Sequence, residues 1–127
     1  MRAEGLKPSP LGMLIHPEFG LWHGYRGAIV LDDLALGRQG DRVPDSPPLV
    51  SHPCDGCAET PCLSACPVGA FTNNGFAAAD CRSFLETETG QDSCMDSGCR
   101  ARDACPVGQR HRYSDDQIRM HMAAFGG

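Results

Sequence analysis

The chain has 127 residues, eight cysteines and a formal net charge of -5. This length allows one domain, or one domain plus an arm, with a thin hydrophobic core, and the net acidity favours a basic protein partner over nucleic acid. The longest wholly apolar run, residues 28–31, is far shorter than the ~20 residues that span a bilayer, and the first ten residues lack the apolar stretch of a secretory signal. We therefore expect a cytoplasmic protein without a membrane segment, in which disulfides are disfavoured.

The N-terminal part predicts a β-hairpin. Apolar stretches at residues 12–16 and 21–31 are separated by a segment that begins with Pro17 and ends with Gly20, two residues that suit a turn. Residues 37–53 are rich in Gly, Pro and charge, and are predicted to be a connector. We expect residues 1–53 to form an arm with this hairpin, and residues 54–127 to form the second part of the chain.

Two helices are predicted in that second part. Residues 76–88 contain strong helix formers and stop before Gly90, so Cys81 is expected to lie on a helix. At the C-terminus, residues 114–117 read Ser-Asp-Asp-Gln and fit a capping box. Ile118, Met122 and Phe125 follow at helical spacing on one face. Together with the hairpin, these helices predict a small α+β fold.

The cysteine pattern is the most specific feature of the sequence. Cys54, Cys57, Cys62 and Cys66 enclose two, four and three residues, and Pro67 follows at once. A second Cys-Pro pair, Cys105-Pro106, closes another cysteine group. Closely spaced cysteines whose last member precedes a proline are typical of proteins that bind two 4Fe-4S clusters, because that last sulfur ligates the other cluster. The sequence therefore predicts a small ferredoxin-type two-cluster domain.

The same crossed pattern assigns every cysteine to a cluster. In it, three cysteines of one group share a cluster with the cysteine before proline of the other group. The first predicted set is Cys54, Cys57, Cys62 and Cys105. The second predicted set is Cys66, Cys81, Cys94 and Cys99. The spacings of 57–62, 94–99 and 99–105 are longer than in compact two-cluster ferredoxins.

Two structural alternatives compete with iron-sulfur clusters. Four disulfides could staple a chain this short, although the missing signal sequence and the paired Cys-Pro units argue against them. Two zinc sites are the other alternative. Zinc domains commonly repeat Cys-x-x-Cys knuckles, and only Cys54 and Cys57 form one here. Both alternatives describe a scaffold without redox activity.

The cysteine motifs resemble the ferredoxin part of epoxyqueuosine reductase and of the related reductive dehalogenases. The resemblance covers about residues 12–108 and includes residues 54–57, 62–70 and 81–86, with a weaker likeness of residues 15–22 and 31–36 to the strand pair before the clusters. It implies two 4Fe-4S clusters, Cys81 as the single helix-borne ligand of the second, and electron transfer to a cobalamin held by a larger preceding domain. This chain is too short to contain that domain, so the electron-transfer module carries over and the reductase activity does not.

The expected function is thus that of an electron carrier with two 4Fe-4S clusters, not an enzyme. A detached electron-delivery domain of a corrinoid-dependent reductase is the alternative, in which the hairpin would complete a partner's sheet. A group of basic residues near the second Cys-Pro pair either docks an acidic partner or RNA, or is a solvated surface that offsets thiolate charge. Its members are Arg100, Arg102, Arg110, His111 and Arg112. The five histidines share no metal spacing, so each is expected to be an ordinary hydrogen-bonding or surface residue.

Overall fold

The computed structural model of the chain describes residues 5–27 and 51–126. They form a small mixed α/β structure with two antiparallel two-stranded sheets. The strands are β1 (Lys7–Pro8), β2 (Leu14–Ile15), β3 (Phe71–Thr72) and β4 (Gly75–Phe76). The helices are α1 (Pro61–Ser64), α2 (Ala78–Leu85), α3 (Glu88–Gly90), α4 (Arg100–Asp103) and α5 (Asp115–Gly126). Two 3-10 turns, Pro53–Gly56 and Gln109–His111, and a π-helical turn, Gln91–Met95, complete the order.

The N-terminal strands pair differently from the predicted hairpin. The predicted turn is present, because His16 and Gly20 exchange backbone hydrogen bonds of 2.9 and 2.8 Å. However, β2 pairs with β1, and residues 21–27 form no strand; residues 28–31 lie outside the described residues. The Leu21 carbonyl, which a hairpin would use for pairing, instead accepts a hydrogen bond of 3.1 Å from Nε of Arg102. A long-range contact therefore replaces the predicted strand ladder.

The hydrophobic core joins the arm to the cysteine region. Its buried residues are Leu11, Ile15, Leu21, Cys62, Ala101 and Cys105. Ile15 is 1% exposed and Ala101 is fully buried, so the first helical residues after Cys99 pack directly under the arm. Two of the six core side chains are cysteines, which means that the proposed metal ligands are also part of the packing.

The arm meets the segment after Cys105 through two glycines. Gly20 and Gly108 have φ angles of +58° and +75°, a left-handed conformation that glycine adopts readily. A Cβ on Gly20 would collide with the Val107 carbonyl, and one on Gly108 would collide with the Phe19 carbonyl. The two backbones approach so closely that neither position has room for a side chain.

Substitution of Gly20 by alanine should destabilise the protein strongly. Strain at a positive φ and the collision with Val107 together should lower the free energy of unfolding by about 3 kcal/mol. Gly12 is the matched control, since its φ is +76° and nothing lies within 4 Å of an added Cβ. Gly12→Ala should cost only about 1 kcal/mol. Thermal unfolding of the two variants checks this, and equal losses would contradict the close approach.

The predicted helix around Cys81 is confirmed, with one correction. Cys81 lies on α2, which ends at Leu85. Gly90 does not terminate a helix: it belongs to α3 and is buried, and a Cβ there would collide with the Phe84 carbonyl. The α3 helix starts afresh because the Gly90 N–H donates to Thr87 Oγ1 over 3.0 Å. The glycine is needed for close packing that the local sequence does not reveal.

The predicted C-terminal helix is confirmed as α5. Its start is capped by Ser114, whose Oγ accepts a hydrogen bond of 3.4 Å from the Gln117 N–H. Ile118 is 4% exposed and packs over Gly98, while Phe125 lies 6.2 Å from the Phe76 ring. The apolar face therefore packs on the rest of the protein, as predicted. Within the described ranges, no helix is both long and apolar enough to cross a membrane.

Candidate metal centres

The first set of cysteines converges from three places in the chain. Cys54 lies in the first 3-10 turn and Cys57 directly after it, Cys62 lies on α1, and Cys105 follows α4. Burial raises the pKa of the Cys54 thiol, and the charges that Cys105, Cys62 and Cys57 carry when ionised raise it further. The interaction with Cys105 is the largest of these three, although Cys105 is the most distant in sequence. The fold thus brings Cys105 to the first cysteine group.

The Cys62 thiol interacts with the same neighbouring cysteines. Burial contributes most to raising the pKa of this thiol, the charge of Cys105 contributes next, and the charge of Cys57 comes third. Hydrogen bonds from the backbone N–H groups of Cys62 and Leu63 act in the opposite direction and favour the thiolate. Cys62 and Cys105 are both buried, at 8% and 7% exposure. Water therefore reaches these two sulfurs poorly.

The second set of cysteines also converges. Cys66 follows α1, Cys81 lies on α2, Cys94 lies in the π-helical turn, and Cys99 is the N-cap of α4. Burial raises the pKa of the Cys81 thiol, and the charges of Cys99, Cys66 and Cys94 raise it further. All three of these interacting cysteines belong to the predicted second set.

Backbone donors surround the sulfurs of the second set. Burial raises the pKa of Cys99, but hydrogen bonds from the N–H groups of Arg102 and Ala101 lower it. These are free donors of the first turn of α4, which helices leave without backbone partners. Cys66 Sγ accepts a hydrogen bond of 3.3 Å from the Ala70 N–H. Such donors stabilise a negatively charged sulfur and suit thiolate ligands.

Two short helices explain how the cysteines divide. Helix α1 has Cys62 of the first set near its start and Cys66 of the second set just after its end. Helix α4, which packs on α1, has the reverse order, with Cys99 of the second set at its start and Cys105 of the first set after its end. At 1.5 Å per helical residue, the four positions from Cys62 to Cys66 and the six from Cys99 to Cys105 correspond to about 6 Å and about 9 Å along the axis. The two sets therefore lie side by side.

Both Cys-Pro segments leave their helices in the same way. The sequence Ala-Cys-Pro-Val-Gly occurs at residues 65–69 and 104–108. The alanine is the C-cap in both cases, and the glycines, Gly69 and Gly108, have φ angles of +58° and +75°. The repeated sequence thus has a repeated backbone, which turns the chain away behind each cysteine.

The interactions among the thiols define two candidate groups of four. The thiols that raise the pKa values of Cys54 and Cys62 all belong to the first set, and those that raise the pKa values of Cys81 and Cys99 all belong to the second. All eight cysteines are free thiols. That they ligate iron stays a prediction, but the donor chemistry, four thiols in each set, fits two 4Fe-4S clusters.

No compact single-ion site occurs among the described residues. In residues 5–27 and 51–126, no group of three or more His, Cys, Asp or Glu side chains could hold a metal ion.

The basic residues near Cys105 mostly have partners within the protein. Arg102 bonds the Leu21 carbonyl, and its guanidinium lies 4.3 Å from the centre of the Trp22 ring. Arg112 pairs with Asp103 at 2.7 Å and Asp115 at 3.0 Å. These contacts hold the arm and α5 against α4. Sequence reasoning missed this structural role of Arg102, because no local signal marks a contact across 81 positions.

Two of the histidines, His16 and His52, accept ordinary hydrogen bonds from the backbone. His16 Nδ1 accepts from the Glu18 and Phe19 N–H groups and so stabilises the turn before Gly20. His52 Nδ1 accepts a 3.2 Å hydrogen bond from the Cys54 N–H and caps the first 3-10 turn.

Comparisons of the chain with protein-family models, with curated proteins and with solved structures found no match.

Proposed function

We propose that this protein transfers electrons and carries two 4Fe-4S clusters, one on Cys54, Cys57, Cys62 and Cys105 and the other on Cys66, Cys81, Cys94 and Cys99. The observation that carries the proposal is the division of eight free thiols into two interacting sets of four. Bound clusters of this type supply reversible one-electron chemistry over a wide range of potentials. The protein would supply the ligands, the hydrogen bonds and the shielding from water.

The surroundings of the thiols suit metal-bound thiolates whose cluster gains negative charge on reduction. The first turn of α4 directs the N–H groups of Ala101 and Arg102 to the Cys99 sulfur, and Ala70 does the same for Cys66. Hydrogen bonds of this kind stabilise added negative charge and so raise a reduction potential. The side-by-side helices α1 and α4 would keep the two centres close enough for an electron to pass between them.

The arm favours a self-contained carrier over a detached domain of a corrinoid-dependent reductase. A detached domain would reserve its hairpin for the partner's sheet. Here the arm packs on its own cysteine region, through Gly20 against Val107 and through Leu21 to Arg102. The partner we propose is a protein with a basic surface, because the chain is already acidic and two oxidised clusters with their thiolates would add about -2 each.

Electron uptake tests this function. Anaerobically loaded protein should bleach with dithionite and take up about two electrons per chain in a coulometric titration, one for each cluster. Protein reconstituted with zinc is the control and should take up none. An iron-loaded sample that accepts no electron within the span of about -700 to +450 mV would leave the clusters purely structural.

A further inference from the structure

A small, partly open cavity lies between the arm, α4 and α5. Its volume is ≈ 40 Å³, and its lining includes Trp22, Cys99, Arg102, Tyr113 and His121. The cavity thus borders a proposed ligand of the second cluster.

Two polar atoms of the lining residues are buried without a partner. They are Nε1 of Trp22 and Nε2 of His121. Trp22 is only 5% exposed, so bulk water does not reach its N–H group. A buried polar atom without a hydrogen bond is destabilising, and native proteins usually satisfy such atoms with protein groups or ordered water.

We propose that one ordered water molecule occupies this cavity and bridges Trp22 Nε1 and His121 Nε2. The space is large enough for an ordered water molecule, which requires at least about 10–15 Å³. The indole N–H donates to the water oxygen, and the water donates to Nε2 of the imidazole. One bound molecule therefore satisfies both orphaned nitrogens, which lie on the arm and on α5.

The second hydrogen of this water has an acceptor within the same cavity. Cys99 lines it, and a sulfur ligand accepts weak hydrogen bonds. This role rests on the proposed function: the water donates a hydrogen bond to a ligand of the second cluster. Reduction adds negative charge to the cluster, so the donor stabilises the reduced form and raises the potential of the second cluster relative to the first.

Crystallography of the anaerobically loaded protein tests the water directly. We expect density for a water within about 2.7–3.2 Å of both nitrogens. The water should be lost in Trp22→Phe, which keeps an aromatic ring for Arg102 to stack on, and in His121→Phe. Tyr113→Phe is the matched control: this ring also lines the cavity, but its hydroxyl lies near Gly24, so the water should remain. An empty cavity in the parent protein, or a protein acceptor bonded to Trp22 Nε1, would overturn the site.

Redox potentials test the effect on the cluster. In Trp22→Phe the second cluster should shift to a lower potential while the first stays unchanged, and Tyr113→Phe should shift neither. A second cluster whose potential does not move would overturn the tuning role, even if the water is present. Iron and sulfide analysis of the same samples separates this result from failure of the proposed function: an unmoved potential in a sample that holds both clusters overturns only the tuning role, whereas a sample without clusters overturns the proposed function.

Discussion

Cys105→Ala and Cys57→Ala should lose the same paramagnetic signal, although the two residues are far apart in sequence. Each variant removes one of four ligands from the first cluster, and its iron content should fall to about half of the parent value. Cys66→Ala and Cys81→Ala should instead lose the other signal and keep the first. Electron paramagnetic resonance of the reduced variants makes the comparison by spectral pattern, since water or a nearby side chain can partly replace a missing thiolate.

The two ends of α1 give the sharpest form of this test. Cys62 and Cys66 are only four positions apart, yet their substitution should affect different clusters. Cys62 interacts with Cys105 after the end of α4, whereas Cys66 interacts with Cys99 at its start. Ser64→Ala is the matched control, since Ser64 is exposed on the same helix and should be replaceable without loss of either signal. If Cys66→Ala and Cys57→Ala prove spectroscopically equivalent, consecutive cysteines bind each cluster and the crossed arrangement is wrong.

Removal of the clusters should unfold residues 54–106. Of the eleven buried apolar residues that the structure describes, three are cysteines, namely Cys62, Cys94 and Cys105. Their thiols would lose the ligand bonds that hold distant segments together, and the remaining core is too small to replace them. Circular dichroism before and after chelation should show loss of most helical signal.

Retention of the clusters should also depend on pH. Burial and neighbouring charge raise the pKa values of Cys54, Cys62, Cys81 and Cys99, so these thiols are protonated at neutral pH when no metal is bound. Cluster binding must displace those protons, and acidification therefore favours cluster loss.

Dithionite-reduced protein with intact clusters is the control for the unfolding experiment and should keep its helical signal. A chelated sample with a native spectrum would contradict this account.

The sequence predicted helices α2 and α5, because capping residues, helix formers and apolar spacing are local signals. The capping box at Ser114 and the spacing of Ile118, Met122 and Phe125 located α5, and helix formers around Cys81 located α2. The hairpin of β3 and β4 was missed, although Asn73 and Asn74, which connect its strands, are residues that are common in turns. Its strands have two residues each, too few for an alternating pattern.

Contacts between distant segments could not be predicted in this way. Gly20 looked like a turn residue, but its main constraint is the Val107 backbone, and Gly90 looked like a helix terminator, but it is buried against Phe84. Residues 21–27 form no strand, and the Leu21 carbonyl accepts a hydrogen bond from Arg102, a contact across 81 positions that no local signal marks. The cysteine sets are different, because the Cys-Pro pattern itself encodes a long-range connection.

Quantification of iron and acid-labile sulfide tests the central claim most directly. Anaerobically purified protein should be brown and contain about eight irons and eight sulfides per chain, as two 4Fe-4S clusters require. Zinc in stoichiometric amount with no sulfide, or four disulfides with no metal, would contradict the account.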